Sequence, residues 1–386
     1  MPDYRALTVA LALLLQALLL ALPAHAQAPL RLAPEAPVLG TAGHLERLDD
    51  PTGTLDPAQA GTAPGWNPLP GNLNGGYTRA TVWLRLRLDV AQPGAWMLQL
   101  GNAILDDVRM YVQAADGSGW RPIGTSGEDV PRSLWPVDSR SPAMQLELAQ
   151  AGEYTVLVRL ATRNALKTRL EVWQRLAFDN HSRREGLLFG LYFGFYLLLI
   201  CLHLLFWRFT RTPLSGLFLA YIGTCVLNEA LSLGLVQQIT GLSAAWSDRL
   251  LGCGISCVLA IAVRMSCGQL MLGQQFPRAE RALVLGSTAA SALAALAVLL
   301  GRYGMGVVPI QVLSLALIPV FTGLGLVLLR RGHRPARFFL IVFGGFYASV
   351  LVAYARNLGL LPINTFTENI SALGTMLHIV LLSLWL

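Results

Sequence analysis

Seven long apolar runs occupy the second half of this 386-residue chain and limit what it can fold into. Each approaches the roughly 20 residues that an α-helix needs to cross a bilayer. They cover approximately residues 187–207, 214–235, 250–272, 282–300, 305–329, 338–358 and 367–386. We therefore predict seven membrane-spanning helices over 187–386, in contact with the lipid bilayer, and exclude a single soluble globule.

Arginines between the runs predict the orientation of these helices. The breaks after the first, third and fifth runs carry eight arginines, whereas the alternate breaks carry Arg249, Arg302 and Arg356. The eight are Arg208, Arg211, Arg278, Arg281, Arg330, Arg331, Arg334 and Arg337. Because positively charged loops stay in the cytoplasm, we expect a multi-pass protein of the inner membrane, with residues 27–186 in the periplasm and the C-terminus in the cytoplasm.

The N-terminus independently requires the same orientation. Residues 1–26 contain Arg5, an apolar stretch and the ending Pro23-Ala24-His25-Ala26, which has the small-x-small form of a signal-peptidase site. We predict a signal peptide over residues 1–26 that is cleaved after Ala26.

Charge and cysteine use exclude several functions. Only 13% of the residues are charged, 54% are hydrophobic, and the net charge is +7. The basic excess lies in the apolar half, where the loops of a membrane protein place it, so we expect no nucleic-acid partner. Cys253 and Cys257 share a helical face, but no histidine or carboxylate joins them. We therefore predict no metal site and no cofactor.

Residues 27–173 show the period-two alternation of half-buried strands. Val82, Leu84, Leu86 and Leu88 alternate with mostly polar residues, and similar strands are predicted near 96–100, 108–112, 144–148 and 154–160. Turn residues separate these strands, and no helical pattern is evident, which favours an all-β sandwich with Trp96 in its core. Residues 174–186 are predicted as a juxtamembrane linker that either couples or merely tethers the two parts.

Four segments carry a resemblance to a known family. They are Thr81-Val-Trp83-Leu-Arg85-Leu-Arg87-Leu, Ile104-Leu-Asp106-Asp-Val108-Arg-Met-Tyr111, Trp120-Arg-Pro-Ile-Gly124 with Gly127, and Tyr154-Thr-Val-Leu-Val-Arg159-Leu. In this order, ahead of seven spans, the chain resembles the bacterial seven-transmembrane receptors with diverse intracellular signalling modules, preceded by their type 2 extracellular domain. The resemblance implies a jelly-roll sandwich similar to carbohydrate-binding modules, and a cytoplasmic output module such as a diguanylate cyclase or histidine kinase.

The chain carries no output module up to Leu386 and no catalytic motif, so we predict a non-enzymatic function. We expect the input and transmembrane half of a receptor, with the sequence a fragment of a longer protein or one that signals through a separate cytoplasmic partner. A homodimer is left open. The alternative function is a membrane transporter with a periplasmic substrate-capture domain.

Tryptophans and arginines of the sandwich are the candidate contacts for a small, carbohydrate-like ligand. Aromatic rings pack on sugar rings, and arginines bind anionic groups. Trp83 and Arg85 are predicted on the polar face of their strand, Trp120 lies near a loop, and Arg132 and Trp135 share a proline-rich loop. Structural packing of the tryptophans and solvation of the arginines are the alternatives.

Polar residues within the predicted spans need a reason, because burying charge in lipid is costly. We expect Asn228 and Glu229 to face the bundle interior, as structural hydrogen-bonding groups or as a signalling switch. Arg264 is expected to extend towards the cytoplasmic surface. Glu368 opens the seventh run, where we expect it to meet the exported domain.

Overall fold

The computed structural model describes residues 28–33, 35–357, 360–362 and 364–385. The signal peptide predicted over 1–26 lies outside these residues. Strands occupy residues 30–174, and seven long apolar helices follow from residue 175. The predicted fold class, an all-β sandwich followed by a seven-helix bundle, is confirmed.

Thirteen strands, one short α-helix and one 3₁₀ turn at Arg132–Leu134 build the first part of the described chain. The strands are β1 Leu30–Leu32, β2 Val38–Gly40, β3 Leu45–Asp50, β4 Asn67–Leu69, β5 Leu73–Tyr77, β6 Thr81–Val90, β7 Gly94–Leu100, β8 Asp107–Ala114, β9 Arg121–Ser126, β10 Ala143–Leu148, β11 Gly152–Ala161, β12 Ala165–Thr168 and β13 Leu170–Gln174. The helix is α1, Pro57–Thr62. All five strands predicted from alternation are confirmed, whereas α1 has no counterpart in the sequence predictions.

Two sheets face each other. The larger has the order β4-β3-β6-β11-β8-β9, with β1 parallel to the end of β6, and the smaller has the order β10-β7-β13-β2. Strands β12 and β5 form a separate antiparallel pair. This pair faces the membrane helices, because Asn74 and Lys167 contact the end of α9.

Alternate side chains of the two sheets form the sandwich core. Leu84, Leu86 and Leu88 of β6 meet Leu98 of β7 and Leu146 of β10 in one buried cluster. Burying each such leucine contributes about 1.5–3 kcal/mol relative to leaving it exposed. Trp96 is 6% exposed within the same cluster, so its predicted core position is confirmed.

The helices of the second part match the predicted runs. Long helices are α2 Arg175–Thr210, α3 Pro213–Ser232, α5 Ala244–Gln269, α7 Pro277–Leu299, α8 Tyr303–Arg330, α9 Arg334–Asn357 and α10 Thr365–Trp385, with short helices α4 Leu235–Thr240 and α6 Leu272–Gln275 in the connections. Each long helix is long and apolar enough to cross a membrane. Helices suit this role because they satisfy their own backbone hydrogen bonds in lipid.

The segment predicted as a linker is helical. Strand β13 ends at Gln174 and α2 begins at Arg175, so residues 175–186 form the first three turns of a 36-residue helix. At 1.5 Å per residue this helix is about 54 Å long, well beyond the roughly 30 Å of bilayer hydrocarbon. Sandwich and first span therefore share one continuous stretch of regular backbone.

The sandwich contacts one end of the bundle. The contacts between the two parts involve the residue after α3, the last residue of α9 and early residues of α5 and α10. Arg208, Arg278, Arg330 and Arg334 lie at the opposite ends of their helices. The sandwich and the arginine-rich loops are thus on opposite sides of the bundle, as the arginine distribution predicts.

Candidate ligand groove and the junction between sandwich and bundle

Trp83 is fully buried, and the prediction that it is exposed on the polar face of β6 is wrong. Its side chain is 0% exposed and packs with Leu48, Ala60 and Leu157. Helix α1, together with Trp66 and Trp120, covers this part of the larger sheet on the side away from the sandwich core. Alternation along β6 identifies the face correctly, but it contains no information about a short helix that covers that face.

Arg85 lies on the same outer face of the larger sheet as Trp83, where it contacts Glu46 and Trp66. Its Nε lies 2.5 Å from Glu46 Oε2, and its guanidinium lies 4.4 Å from the centroid of the Trp66 ring. Glu46 is 7% exposed. A half-buried, charge-assisted pair of this kind orients both side chains, so the Arg85 guanidinium is held between Glu46 and the Trp66 ring.

Trp120 lines an open groove of about 510 Å³ between α1 and the end of β8. The groove is lined by Asp56, Pro57, Ala58, Gly61, Thr62, Gln113, Gly119 and Trp120. A Cβ at Gly61 would lie 2.8 Å from the Trp120 ring, so the glycine lets the helix approach the indole. The Asp56 carboxylate caps α1 by accepting a hydrogen bond from the backbone N–H of Gln59 at 2.7 Å. The groove therefore presents one indole beside carboxylate, amide and hydroxyl groups.

Arg132 and Trp135 lie apart from this groove, in the loop between β9 and β10. The Arg132 guanidinium lies 3.9 Å from the Trp135 ring centroid and donates to the Ser139 carbonyl at 2.8 Å. Trp135 Nε1 donates to the Val130 carbonyl at 3.1 Å. The structure thus brings Trp83, Arg85 and Trp120 together and places Arg132 and Trp135 elsewhere, in the loop that rests on the bundle.

Gly127 and Glu128 begin this docking loop. Gly127 has φ +118 and lies so close to the Asp106 backbone that a side chain would collide with it. Glu128 receives hydrogen bonds from two residues of the helical domain, Ser247 Oγ at 2.7 Å and Gln237 Nε2 at 3.0 Å. Burial, with the nearby negative charges of Asp248 and Asp106, raises the pKa of Glu128 to about 7 despite these hydrogen bonds.

A second acidic contact crosses the junction beside Glu128. Asp248, in the first turns of α5, accepts a hydrogen bond from Asn164 Nδ2 at 3.0 Å. Arg163 lies between carboxylates: its Nε is 3.1 Å from Asp106 and 3.5 Å from Asp248, and its Nη2 is 2.8 Å from Asp129. The residues after β11 and the docking loop therefore meet α5 through an acidic cluster.

Strands β5 and β12 carry a basic contact on another part of the junction. Lys167 Nζ donates to Asn357 Oδ1 at the end of α9, and Arg169 Nη1 lies 3.5 Å from Glu368 Oε2 in α10. The predicted contact of Glu368 with the exported domain is confirmed. Burial, together with the positive charge of Arg356, lowers the pKa of Lys167 to about 7.

Further contacts fix the sandwich to the start of α2, and Arg140 also donates to the Leu233 carbonyl just after α3. Arg140 Nη2 lies 2.5 Å from Glu185 Oε1, and its guanidinium stands over Phe189. The Trp173 ring stacks on His181 with centroids 4.5 Å apart. The Arg140 and Trp173 contacts hold the first three turns of α2 against the sandwich, so this segment is not a loose tether.

Within the bundle, Glu229 is hydrogen-bonded as expected for an inward-facing residue. Tyr192 of α2 donates to Glu229 Oε2 at 2.7 Å, and its oxygen lies 3.1 Å from the Tyr196 hydroxyl. Asn228 packs directly on Gly254 of α5. Arg264 is exposed, five residues before α5 ends at Gln269, and its position fits an arginine that extends towards the surface.

Apart from Glu368, the sequence predictions missed the residues that make the acidic and basic contacts of the junction. Their partners are far apart along the chain, as with Asn164 and Asp248, which are 84 residues apart. The one available signal was Asp248 itself, a carboxylate at the edge of an apolar run on the predicted outer side of the membrane.

Comparison with known families agrees with this architecture. The family described as 7TM diverse intracellular signalling matches residues 185–386, and the family described as 7TMR-DISM extracellular 2 matches residues 42–174. None of the curated proteins compared with the chain matches it. The first match covers the helical bundle except the first ten residues of α2, and the second covers almost the whole sandwich. The chain therefore belongs to the seven-transmembrane receptors with diverse intracellular signalling modules, and it is a membrane signalling receptor with an extracellular domain.

Proposed function

We propose that the sandwich binds a small, carbohydrate-like ligand in the groove beside Trp120, and that the bundle relays binding to a cytoplasmic output module or partner protein. The observation that carries this proposal is the set of contacts that joins the sandwich to the helical bundle. Strand β13 continues directly into the first span, and side-chain contacts fix the sandwich to the ends of α3, α5, α9 and α10. A shift in the sandwich would then act on several helices together.

The chemistry of the groove supports a sugar as its ligand. Its volume of about 510 Å³ is in the range of about 300–1,000 Å³ typical of small-molecule sites. The Trp120 indole offers an apolar face, while Asp56, Thr62 and Gln113 offer hydrogen-bonding groups around it. A sugar ring has an apolar face and a hydroxylated edge, so this combination suits it.

The direction of the relay follows from the proposed topology. The arginine-rich loops after α2, α6 and α8 lie on the side of the bundle away from the sandwich. By the positive-inside rule this is the cytoplasmic face of the inner membrane. We place the output module on this face. Ligand binding can shift the equilibrium between two arrangements of the bundle only by as much as the ligand's affinities for these two arrangements differ.

The test is ligand binding to the chain in lipid nanodiscs. A panel of neutral and acidic mono- and disaccharides is titrated by calorimetry, with the W120A and W135A variants compared under the same conditions. We expect one sugar class to bind, W120A to abolish binding, and W135A to leave it intact. If W135A alone abolished binding, the ligand site would lie in the docking loop, and this result would contradict the proposal that the ligand binds in the groove beside Trp120.

Uptake by reconstituted vesicles separates this proposal from transport. The sugar that binds in calorimetry is radiolabelled and added outside vesicles that contain the chain. A receptor leaves the internal radioactivity at the level of empty vesicles. Saturable accumulation inside the vesicles would favour the transporter instead.

A further inference from the structure

Three carboxylates from separate elements converge where the sandwich meets the bundle. Asp106 lies just before β8, Glu128 lies in the docking loop, and Asp248 lies near the start of α5. One oxygen from each carboxylate lies within 4.8 Å of the corresponding oxygens of the other two. Calcium binds oxygen at about 2.3–2.6 Å, so an ion between these three oxygens would lie at or within a few tenths of an ångström of binding distance from each.

Positive charge near the three carboxylates is scarce. Asp106 and Asp248 are 3% and 7% exposed. Arg163 donates three hydrogen bonds to Asp106 and also pairs with Asp248, but it is about half exposed and is shared with Asp129, so one arginine serves all three aspartates. Within the described part of the chain, Glu128 forms no ion pair at all. Buried carboxylates with so little compensation are costly unless a cation or a proton joins them.

Two buried amide oxygens at the same place lack a hydrogen-bond partner. Asn164 is 1% exposed and Gln237 is 5% exposed, and their side-chain nitrogens donate to Asp248 and Glu128 respectively. Asn164 Oδ1 and Gln237 Oε1 have no hydrogen-bond partner. An unpaired buried carbonyl is destabilising. Amide oxygens, like carboxylates, are ligands that calcium prefers.

We propose that Asp106, Glu128 and Asp248 bind a divalent metal cation, Ca²⁺, at the junction, with the amide oxygens of Asn164 and Gln237 completing its ligands. All these donors are oxygens, which favours Ca²⁺ over Zn²⁺, and calcium sites in extracellular modules typically have Kd values of about 10⁻⁴ to 10⁻³ M. The ion would join three sandwich segments, which carry Asp106, Glu128 and Asn164, to α4 and α5. The proposal is independent of the sugar groove.

The experiment uses the whole chain in nanodiscs after chelation of divalent ions. Binding of ⁴⁵Ca²⁺ is measured by equilibrium dialysis, and the thermal unfolding midpoint is followed as CaCl₂ is added. We expect one saturable site and a rise in the unfolding midpoint with Ca²⁺. The variants E128Q and D248N keep the side-chain shapes and should weaken binding at least tenfold. D138N changes an exposed carboxylate of the same docking loop and should bind like the parent chain.

Two results would overturn the proposal. One is the absence of saturable ⁴⁵Ca²⁺ binding to the parent chain up to about 10 mM, ten times the weakest affinity typical of such modules. The other is the finding that E128Q and D248N bind ⁴⁵Ca²⁺ as tightly as the D138N control does. If a carboxylate variant fails to fold, N164A replaces it, because this variant removes an uncharged ligand and is also expected to weaken binding.

Discussion

Replacing Gly234 with alanine should loosen the sandwich from the bundle. Gly234 precedes α4 with φ +76, and a Cβ there would lie 2.6 Å from both the Ala103 Cβ and the Arg140 carbonyl oxygen. The left-handed backbone costs about 1–2 kcal/mol for alanine. Forcing an extra carbon into a packed contact adds about 1–3 kcal/mol. The two costs together lower the unfolding free energy by about 2–5 kcal/mol. The larger part comes from the collision with Ala103 and Arg140 at the junction.

Gly241 provides a matched control at the other end of the same short helix. It has φ +65, and a Cβ added there would meet no atom within 4 Å. G241A therefore carries the backbone cost without the collision. The two variants should differ by about 1–3 kcal/mol in unfolding free energy.

Thermal unfolding of the two variants in nanodiscs measures this difference. For a unit of 150–250 residues, 1 kcal/mol corresponds to about 2–4 °C. We expect G234A to unfold about 2–12 °C below G241A, with earlier tryptic cleavage near the junction. Equal unfolding midpoints would refute the reasoning, because they would mean that Ala103 and Arg140 do not pack on Gly234.

Three further predictions follow from buried groups. W83A should lower the unfolding free energy by about 3–5 kcal/mol, measured by denaturant unfolding of the exported domain within the whole chain. Y192F leaves the Glu229 carboxylate without its hydrogen bond from α2, at a cost of about 1–3 kcal/mol, which thermal unfolding in nanodiscs detects. The pKa of Lys167, about 7, lies below its unfolded value near 10.5, so the unfolded chain binds the extra proton between these pH values. Stability should therefore rise from pH 7 towards pH 10 in the parent chain relative to K167M, by at most about 1.4 kcal/mol per pH unit.

The membrane part was predictable because its constraints are local. An apolar run of about 20 residues determines a span without reference to the rest of the chain. The strands 82–88 and 154–160 were predictable for a similar reason, since alternation reports which residues face the core. These are properties of single segments.

The site residues were less predictable because they depend on contacts between distant segments. Trp83 alternates with core leucines, as an exposed residue would, yet the six-residue helix α1 covers it. Helix α1 is too short to show a helical period. Lys167 and Asn357 are 190 residues apart in the chain, and neither residue shows by itself that the two meet. The conversion of the expected linker into a helix likewise depends on packing, because Trp173 and His181 stack on each other.

A spin-label distance measurement tests most directly whether the sandwich is fixed to the bundle. One label replaces Glu147 on the outer face of β10, and the other replaces Arg302 in the loop before α8, both exposed positions. A control pair within the sandwich uses Glu147 and Asp89, which point outward from opposite sheets. For the chain in nanodiscs, we predict a single sandwich-to-bundle distance peak as narrow as that of the control pair. A broad or multiple distribution, with the control still narrow, would contradict the account, because the sandwich would then move freely above the helices.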